Sequence, residues 1–166
     1  MAYTFKIDQI EILNQLIFDA SIDFEEIQNL LLLENMELET SVKLELERRA
    51  FENVTRKSSL FLTTTELNGK ISSISFEHIS KLTISGLNDQ FHCNHFINGL
   101  TFDQNQNLNL TTAFGLSIDL YTTENTLIHL TDLQDSDFGK GTFLKKTIGF
   151  TTEEWETYLK DKNYLP

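Results

Sequence analysis

Cysteine is almost absent from this chain: Cys93 stands alone, so no intramolecular disulfide can form. Proline is scarcer than in most folded domains, with one residue in 166, and glycine contributes seven. Those counts leave no room for a Pro-rich or Gly/Ser-rich linker, and the sequence reads as a single domain over 1–166. Long apolar runs are missing as well. The longest, Leu30-Leu31-Leu32-Leu33, is far too short to span a bilayer. The N-terminus has no basic segment followed by an apolar one, so it is not a secretory signal, and a cytoplasmic location is expected.

The most informative shortage is of positive charge. Between Lys6 and Lys43 the chain carries nine acids and no Lys or Arg: Asp8, Glu11, Asp19, Asp23, Glu25, Glu26, Glu34, Glu37 and Glu39. Between Lys81 and Lys140 it carries seven more, Asp89, Asp103, Asp119, Glu124, Asp132, Asp135 and Asp137, again unopposed. The net charge is −12. Such a surface repels nucleic acid and anionic lipid and attracts basic proteins. The cations that do cluster, Arg48-Arg49 and Arg56-Lys57, are interleaved with Glu45, Glu47 and Glu52 and make no nucleic-acid footprint. Neither direct nucleic-acid binding nor a membrane partner is expected.

Thirteen phenylalanines supply the apolar area that a disordered chain lacks. Two helix starts are explicit. Thr151 with Glu154 forms a capping box, and Phe150 with Trp155 a hydrophobic staple, predicting a helix from about Thr152 to Lys160. Asp23 with Glu26, and Ile22 with Ile27, predict a second helix ending near Glu34. Ile7, Ile10, Leu13, Leu16 and Ile17 recur at helical spacing before it. Residues 40–56 carry both periods. Val42, Leu44 and Leu46 alternate with Lys43, Glu45 and Glu47 as in a strand, whereas Val42, Leu46, Ala50 and Val54 fit a helix; the strand reading is adopted.

From residue 59 the pattern is β. Leu60 to Thr65 runs toward Asn68-Gly69, the preferred pair of a tight hairpin, and Ile71, Ile74 and Phe76 return. Leu82–Ile84, Leu100–Phe102, Leu108–Leu110, Leu116–Leu120 and Leu127–Leu130 follow, separated by polar turns. The expected fold is α+β: an antiparallel β meander of about six strands, with N-terminal helices and a C-terminal helix packed on it, or flanking a barrel if the sheet closes. Trp155, Tyr158, Leu30 and Leu31 should pack against Phe61, Phe76, Leu110, Ile118 and Leu130.

Catalytic motifs are lacking. His92, Cys93 and His95 form the one dense group of soft ligands, and zinc needs three or four. Asp119 and His129 could complete a site only if the sheet folds back. Cys93 has no basic neighbour or helix start to make it a thiolate. Asp103–Asn107 and Asp135–Gly139 fail as calcium loops: the first has Leu108 where glycine is needed, and both lack Glu at the twelfth position. Gly139-Lys140-Gly141-Thr142 is not a phosphate loop. No catalytic residue, metal or cofactor is assigned.

In size, acidity and lack of catalytic motif the chain is similar to bacterial immunity proteins and other small inhibitors of basic enzymes, a likeness of type that transfers no residues. The expected function is therefore a non-enzymatic acidic protein-binding module, of inhibitor or immunity type, that docks on a basic protein partner. Its contact acids would be Asp19, Asp23, Glu25, Glu26, Glu34 and Glu37, with Asp132, Asp135 and Asp137 as a second patch. The alternatives are a small ligand- or metal-dependent enzyme using the His92/Cys93/His95 region, and an oligomeric structural component paired through Thr63, Thr64 and Thr65.

Overall fold

Alternation begins at the first residues, where Tyr3 and Phe5 point inward and Ala2 and Thr4 outward, making a short strand β1 (Ala2–Phe5). The computed structural model describes residues 1–34, 36, 41–87, 93–144 and 148–166. A 3₁₀ turn (Ile7–Gln9) leads into α1 (Ile10–Ile17), which buries Ile12, Leu13, Leu16 and Ile17, the face set by i, i+3, i+4 spacing. After β2 (Ser21–Ile22) comes α2 (Phe24–Leu33), burying Ile27 and Leu30. The rest of the core is β: β3 (Ser41–Arg49), β4 (Thr55–Ser58), β5 (Thr63–Glu77), β6 (Lys81–Ser85), β7 (His95–Phe102), β8 (Asn107–Thr112), β9 (Ser117–Tyr121) and β10 (Ile128–Phe143). The last helix, α3 (Thr152–Asp161), closes the order.

All ladders are antiparallel, and the sheet runs β1-β10-β5-β3-β2-β7-β8-β9-β6, with β4 paired to β5. The α+β class stands, but among the described residues the sheet has ten strands rather than about six. The extra strands lie in the N-terminal third, where β1 and β2 are too short to show a period, and in β4, whose four residues are all polar. Residues 41–49 are a strand: Val42, Leu44, Leu46 and Arg48 face inward and Lys43, Glu45 and Glu47 outward. Propensity favoured a helix there, and the burial of alternate side chains against β5 overrode it.

Several expectations from the hairpin region are corrected. Asn68-Gly69 is not a turn, since β5 runs straight through it and Gly69 pairs with both Arg49 and Ser136. Its lack of a side chain serves close approach: a Cβ there would lie 2.4 Å from the Phe138 carbonyl oxygen and 2.6 Å from that of Ser136. The turn falls earlier, between β4 and β5, so Leu60 and Phe61 are not in a strand. Phe61, expected in the core, is 93% exposed. Thr63, Thr64 and Thr65 pair with Ser58, Lys57 and Arg56 of β4, so they are not a free edge for pairing between subunits.

One apolar cluster includes Leu13, Leu16 and Ile17 of α1, Leu30 of α2, Trp155 and Leu159 of α3, and inward residues of β1, β3 and β5 to β10. Trp155, Leu30, Phe76, Leu110, Ile118 and Leu130 are buried as expected, while Tyr158 and Leu31 are half-buried. Asn14 of α1 tethers β7, donating from Nδ2 to the Leu100 carbonyl at 2.8 Å and accepting the Leu100 N–H at 2.7 Å.

Side chains cap the open strand edges. The Tyr164 hydroxyl accepts the Thr4 N–H at 3.0 Å and donates to its carbonyl at 2.9 Å, covering β1. Glu34 accepts the Ile84 N–H of β6 at 2.8 Å. Each cap occupies backbone groups of one residue on an outer strand, a feature that disfavours edge-to-edge pairing there. No helix among the described residues is long and apolar enough to cross a membrane.

Candidate functional site

The outward alternation of β3 sets Glu45 and Glu47 side by side on the solvent face, and β2 brings the first turn of α2 next to them. Asp23 occupies the N-cap position of α2 with extended backbone, yet its carboxylate makes no capping hydrogen bond. Glu26 does not reach back to the cap either. Its Oε2 accepts the Glu45 N–H at 2.8 Å, satisfying a β3 amide and tying α2 to the sheet. Expected as a capping box, the Asp23/Glu26 pair is instead a helix-to-strand tether beside an uncommitted acid.

The result is a cleft of about 410 Å³ lined by Ser21, Asp23, Glu25, Glu26, Glu45, Leu46, Glu47, Ile71 and Asn94. Five of those nine side chains are carboxylates and none is Lys or Arg. Half-buried Ile71, the register partner of Glu47 on β5, gives the cleft an apolar floor. Glu47 is held by the Ser136 hydroxyl, which donates to Oε1 at 2.8 Å. On the far side of Ser21 stands Phe96, its register partner on β7, stacked on Phe138 with ring centroids 6.4 Å apart. Phe138 arrives there because β10 breaks register between Ser136 and Gly141.

Elsewhere the acids named from sequence are engaged. Asp19 pairs with Arg49 at 2.9 Å. Glu34 caps Ile84, and Glu37 lies outside the described residues. Asp135 pairs with Lys70 at 2.5 Å, and that hydrogen bond and charge lower its pKa. Asp137 is 3.5 Å from Lys140. Asp132 is drawn inward to Arg48, so the second patch is not a run of open acids.

Arg48 is the largest surprise of the interior. It occupies an inward β3 position with no exposed surface. Its guanidinium donates to both oxygens of Glu52, at 2.9 and 2.7 Å, to Asp132 Oδ1 at 2.7 Å and to the Ser72 hydroxyl at 3.0 Å. Ser72 in turn donates to Asp132 at 2.8 Å, and the N-terminal amine lies 3.5 Å from Asp132. Burial alone would raise the Asp132 pKa; the Arg48 charge and the Arg48 and Ser72 hydrogen bonds outweigh it and hold the pKa below its usual value. Tyr3 is pushed up by burial and by the Glu52 charge.

This arrangement explains why Glu45 and Glu47 escape a reading of the sequence. Arg48 and Arg49 follow them directly and look like their counterions. In the fold Arg48 points into the core and Arg49 pairs with Asp19, so neither glutamate forms an ion pair among the described residues. The signal that could have found them is the period-2 alternation itself, which puts Glu45 and Arg48 on opposite faces.

The residues of the enzyme alternative are dispersed. His95 faces the core, its Nδ1 3.4 Å from the Thr112 hydroxyl, and burial lowers its pKa. His129 faces outward, 3.0 Å from the Thr4 hydroxyl and 3.3 Å from Glu77. Asp119 accepts the Asn109 amide at 2.6 Å on the outer face of β9. Cys93 is a free thiol, and His92 lies outside the described residues. Among the described residues no three His, Cys, Asp or Glu side chains are grouped to hold a metal ion.

A larger cavity, about 840 Å³, opens at one end of the sheet between Lys6–Asp8, His78, Phe102, Gln106 and residues 122–127. It mixes both signs of charge, with Lys6 against Asp8 and Glu124, and its lining residues gather no catalytic set. Volume alone therefore does not single it out, whereas the acidic cleft is distinguished by its uniform charge. No protein-family model, no curated protein and no solved structure matches the chain.

Proposed function

We propose that the chain is a non-enzymatic protein-binding module whose acidic cleft docks on a Lys- or Arg-bearing surface of a basic protein, as an inhibitor or immunity-type protein would. The observation that carries this reading is the set Asp23, Glu25, Glu26, Glu45 and Glu47 around one cleft without a cation among its lining residues. Like charges held together cost stability through self-repulsion, and a use for them offsets that cost. The hydrogen bonds to Glu26 and Glu47 fix those carboxylates without removing their charge.

In the mechanism, the chain's net negative charge accelerates encounter, and the cleft then seats a long cationic side chain against the carboxylates. Steering of this kind raises association rates by roughly 10- to 1,000-fold and weakens as salt rises. Ile71 and the nearby Phe96–Phe138 stack supply the apolar surface that an interface centre requires. Inhibition would follow from covering the partner's basic site. The proposal places the protein in the cytoplasm, where a lone thiol stays reduced.

The test is binding of small basic proteins at low and physiological salt, compared with acidic proteins of similar size. Binding confined to the basic set and falling steeply with salt supports the reading. Equal binding to both sets, insensitive to salt, contradicts it.

A further inference from the structure

At the end of the β4–β5 hairpin, away from the acidic cleft, stand the most exposed apolar side chains among the described residues. The last paired residues are Ser58 and Thr63, with hydroxyls 3.2 Å apart. Beyond them the Ser59 N–H donates to the Leu62 carbonyl at 2.8 Å, and the Ser59 hydroxyl donates to the same oxygen at 3.3 Å. Leu60 and Phe61 therefore sit at the corner of a closed turn, 94% and 93% exposed, followed by half-exposed Leu62. Turn corners ordinarily take Gly, Asn, Asp, Pro or Ser, which ease the backbone or hydrogen-bond to it. Leu-Phe does neither, and the core gains nothing from it. One strand away, Leu144 follows Phe143, the register partner of Thr65, and is exposed as well.

We infer that this hairpin tip is a lipid-surface anchor, dipping Leu60, Phe61 and Leu62 into the interfacial layer of a membrane without crossing it. Area argues for a fluid acceptor. The three side chains offer on the order of 450 Å², well below the roughly 800 Å² per partner of a stable protein interface. A convex tip buries most of that area only in a matching pocket or in a medium that closes around it. Two convex tips touch over only part of that area, so neither can bury the other.

The surroundings suit the boundary between hydrocarbon and headgroups. Ser58, Ser59, Thr63 and Thr64 form an uncharged hydroxyl collar directly behind the tip. Among the described residues the charges behind the tip are paired, Lys57 with Glu66 at 2.7 Å and Arg56 with Glu154. The acidic cleft does not forbid approach. Its floor residue Ile71 lies nine residues along β5 from Leu62, about 30 Å at the rise of a strand, and the Debye length at physiological salt is about 8 Å. The repulsion of anionic lipid expected from bulk charge is thus screened at this end of the molecule. With Lys57 and Arg56 paired in this way, the tip should discriminate little between zwitterionic and anionic surfaces.

The experiment uses the full chain with phosphatidylcholine vesicles, and with vesicles that also contain phosphatidylglycerol. Phe61→Trp places an indole at the tip, against the buried Trp155 as internal background. Its emission should shift to the blue on adding either vesicle and be quenched by lipids brominated in the upper acyl chain. Leu60→Ser combined with Phe61→Ser should weaken vesicle co-sedimentation at least about tenfold, as the loss of two anchoring side chains requires, with unchanged circular dichroism and Trp155 emission. Absence of vesicle binding by the native chain would overturn the proposal, as would binding unaffected by the serine pair. So would self-association, or binding to a basic protein, that the serine pair abolishes, since either assigns the tip to a protein surface. Because the tip and the acidic cleft are separate, vesicle binding can fail while the docking reading stands, and the reverse.

Discussion

Trp155 Nε1 donates to the Tyr3 hydroxyl at 3.0 Å, joining the last helix to the first strand. The rings meet edge to face, with centroids 6.4 Å apart, and Phe150 and Tyr158 pack on the other sides of the indole. Tyr3→Phe keeps the ring and strands a buried N–H. The expected loss is about 1–3 kcal/mol, read as a lower urea midpoint with an unchanged slope. A variant as stable as the native chain would mean that another group satisfies the indole.

The buried Arg48 cluster sets the acid limb of the stability curve. Arg48→Met leaves Glu52 and Asp132 buried without their cation, and is expected to cost about 3–5 kcal/mol. The Asp132 pKa is lowered in the folded state, so the unfolded chain binds the proton more readily. That stabilisation is fully present above the unfolded value of about 3.9 and is lost as pH falls through the folded value.

His95 acts at a higher pH with the same sign. Burial lowers its folded pKa, so below the unfolded value of about 6.5 the unfolded state takes up a proton that the folded state resists. Stability should therefore decline in mildly acidic solution before Asp132 titrates. Urea titrations across pH should show two separable losses, and His95→Leu should abolish only the upper one. A single loss at low pH in the native chain would show that His95 titrates alike in both states.

Gly69 is a contact position, not a turn. Gly69→Ala sets a methyl 2.4 Å from a backbone oxygen on β10, so the register break that carries Phe138 to Phe96 must shift. Several kcal/mol of destabilisation are expected, as for other overpacking at close contacts. Gly115→Ala is the comparison. Its added Cβ meets nothing within 4 Å, and only its positive φ of 81° is strained, at about 1–2 kcal/mol. Equal losses at the two sites would contradict the close-approach reading.

Legibility of the fold followed the length and strength of the local signal. The Thr151–Glu154 box and the Phe150–Trp155 staple appear as the sequence spells them, with Thr151 Oγ1 accepting the Glu154 N–H and Glu154 accepting the Thr151 N–H at 2.9 Å. The helical spacing through Ile17 was readable as well, whereas the alternation from Val42 competed with a helical period, and pairing with β5 decides between them. Strands of two to four residues such as β1, β2 and β4 were not, because so few positions show no period. Asn68-Gly69 misled because glycine serves close approach as well as turns, and only the arrival of β10 decides between them. At the site, the acids of α2 were visible as an unopposed block. Glu45 and Glu47 were hidden because adjacency in sequence suggested counterions, whereas the pleat turns Arg48 to the other face and Asp19 takes Arg49.

The docking cleft is the central claim, and one measurement addresses it most directly. Asp23→Asn, Glu25→Gln, Glu45→Gln and Glu47→Gln together remove four of its charges, while Glu26 and Glu34 stay to hold the backbone amides of β3 and β6. Folding is checked by circular dichroism and urea unfolding, and association with a basic protein that binds the native chain is then timed across salt concentrations. The expected result is an association rate at low salt reduced at least about tenfold, with a flatter dependence on salt. A folded quadruple variant that associates at the native rate with the native salt dependence would contradict the claim.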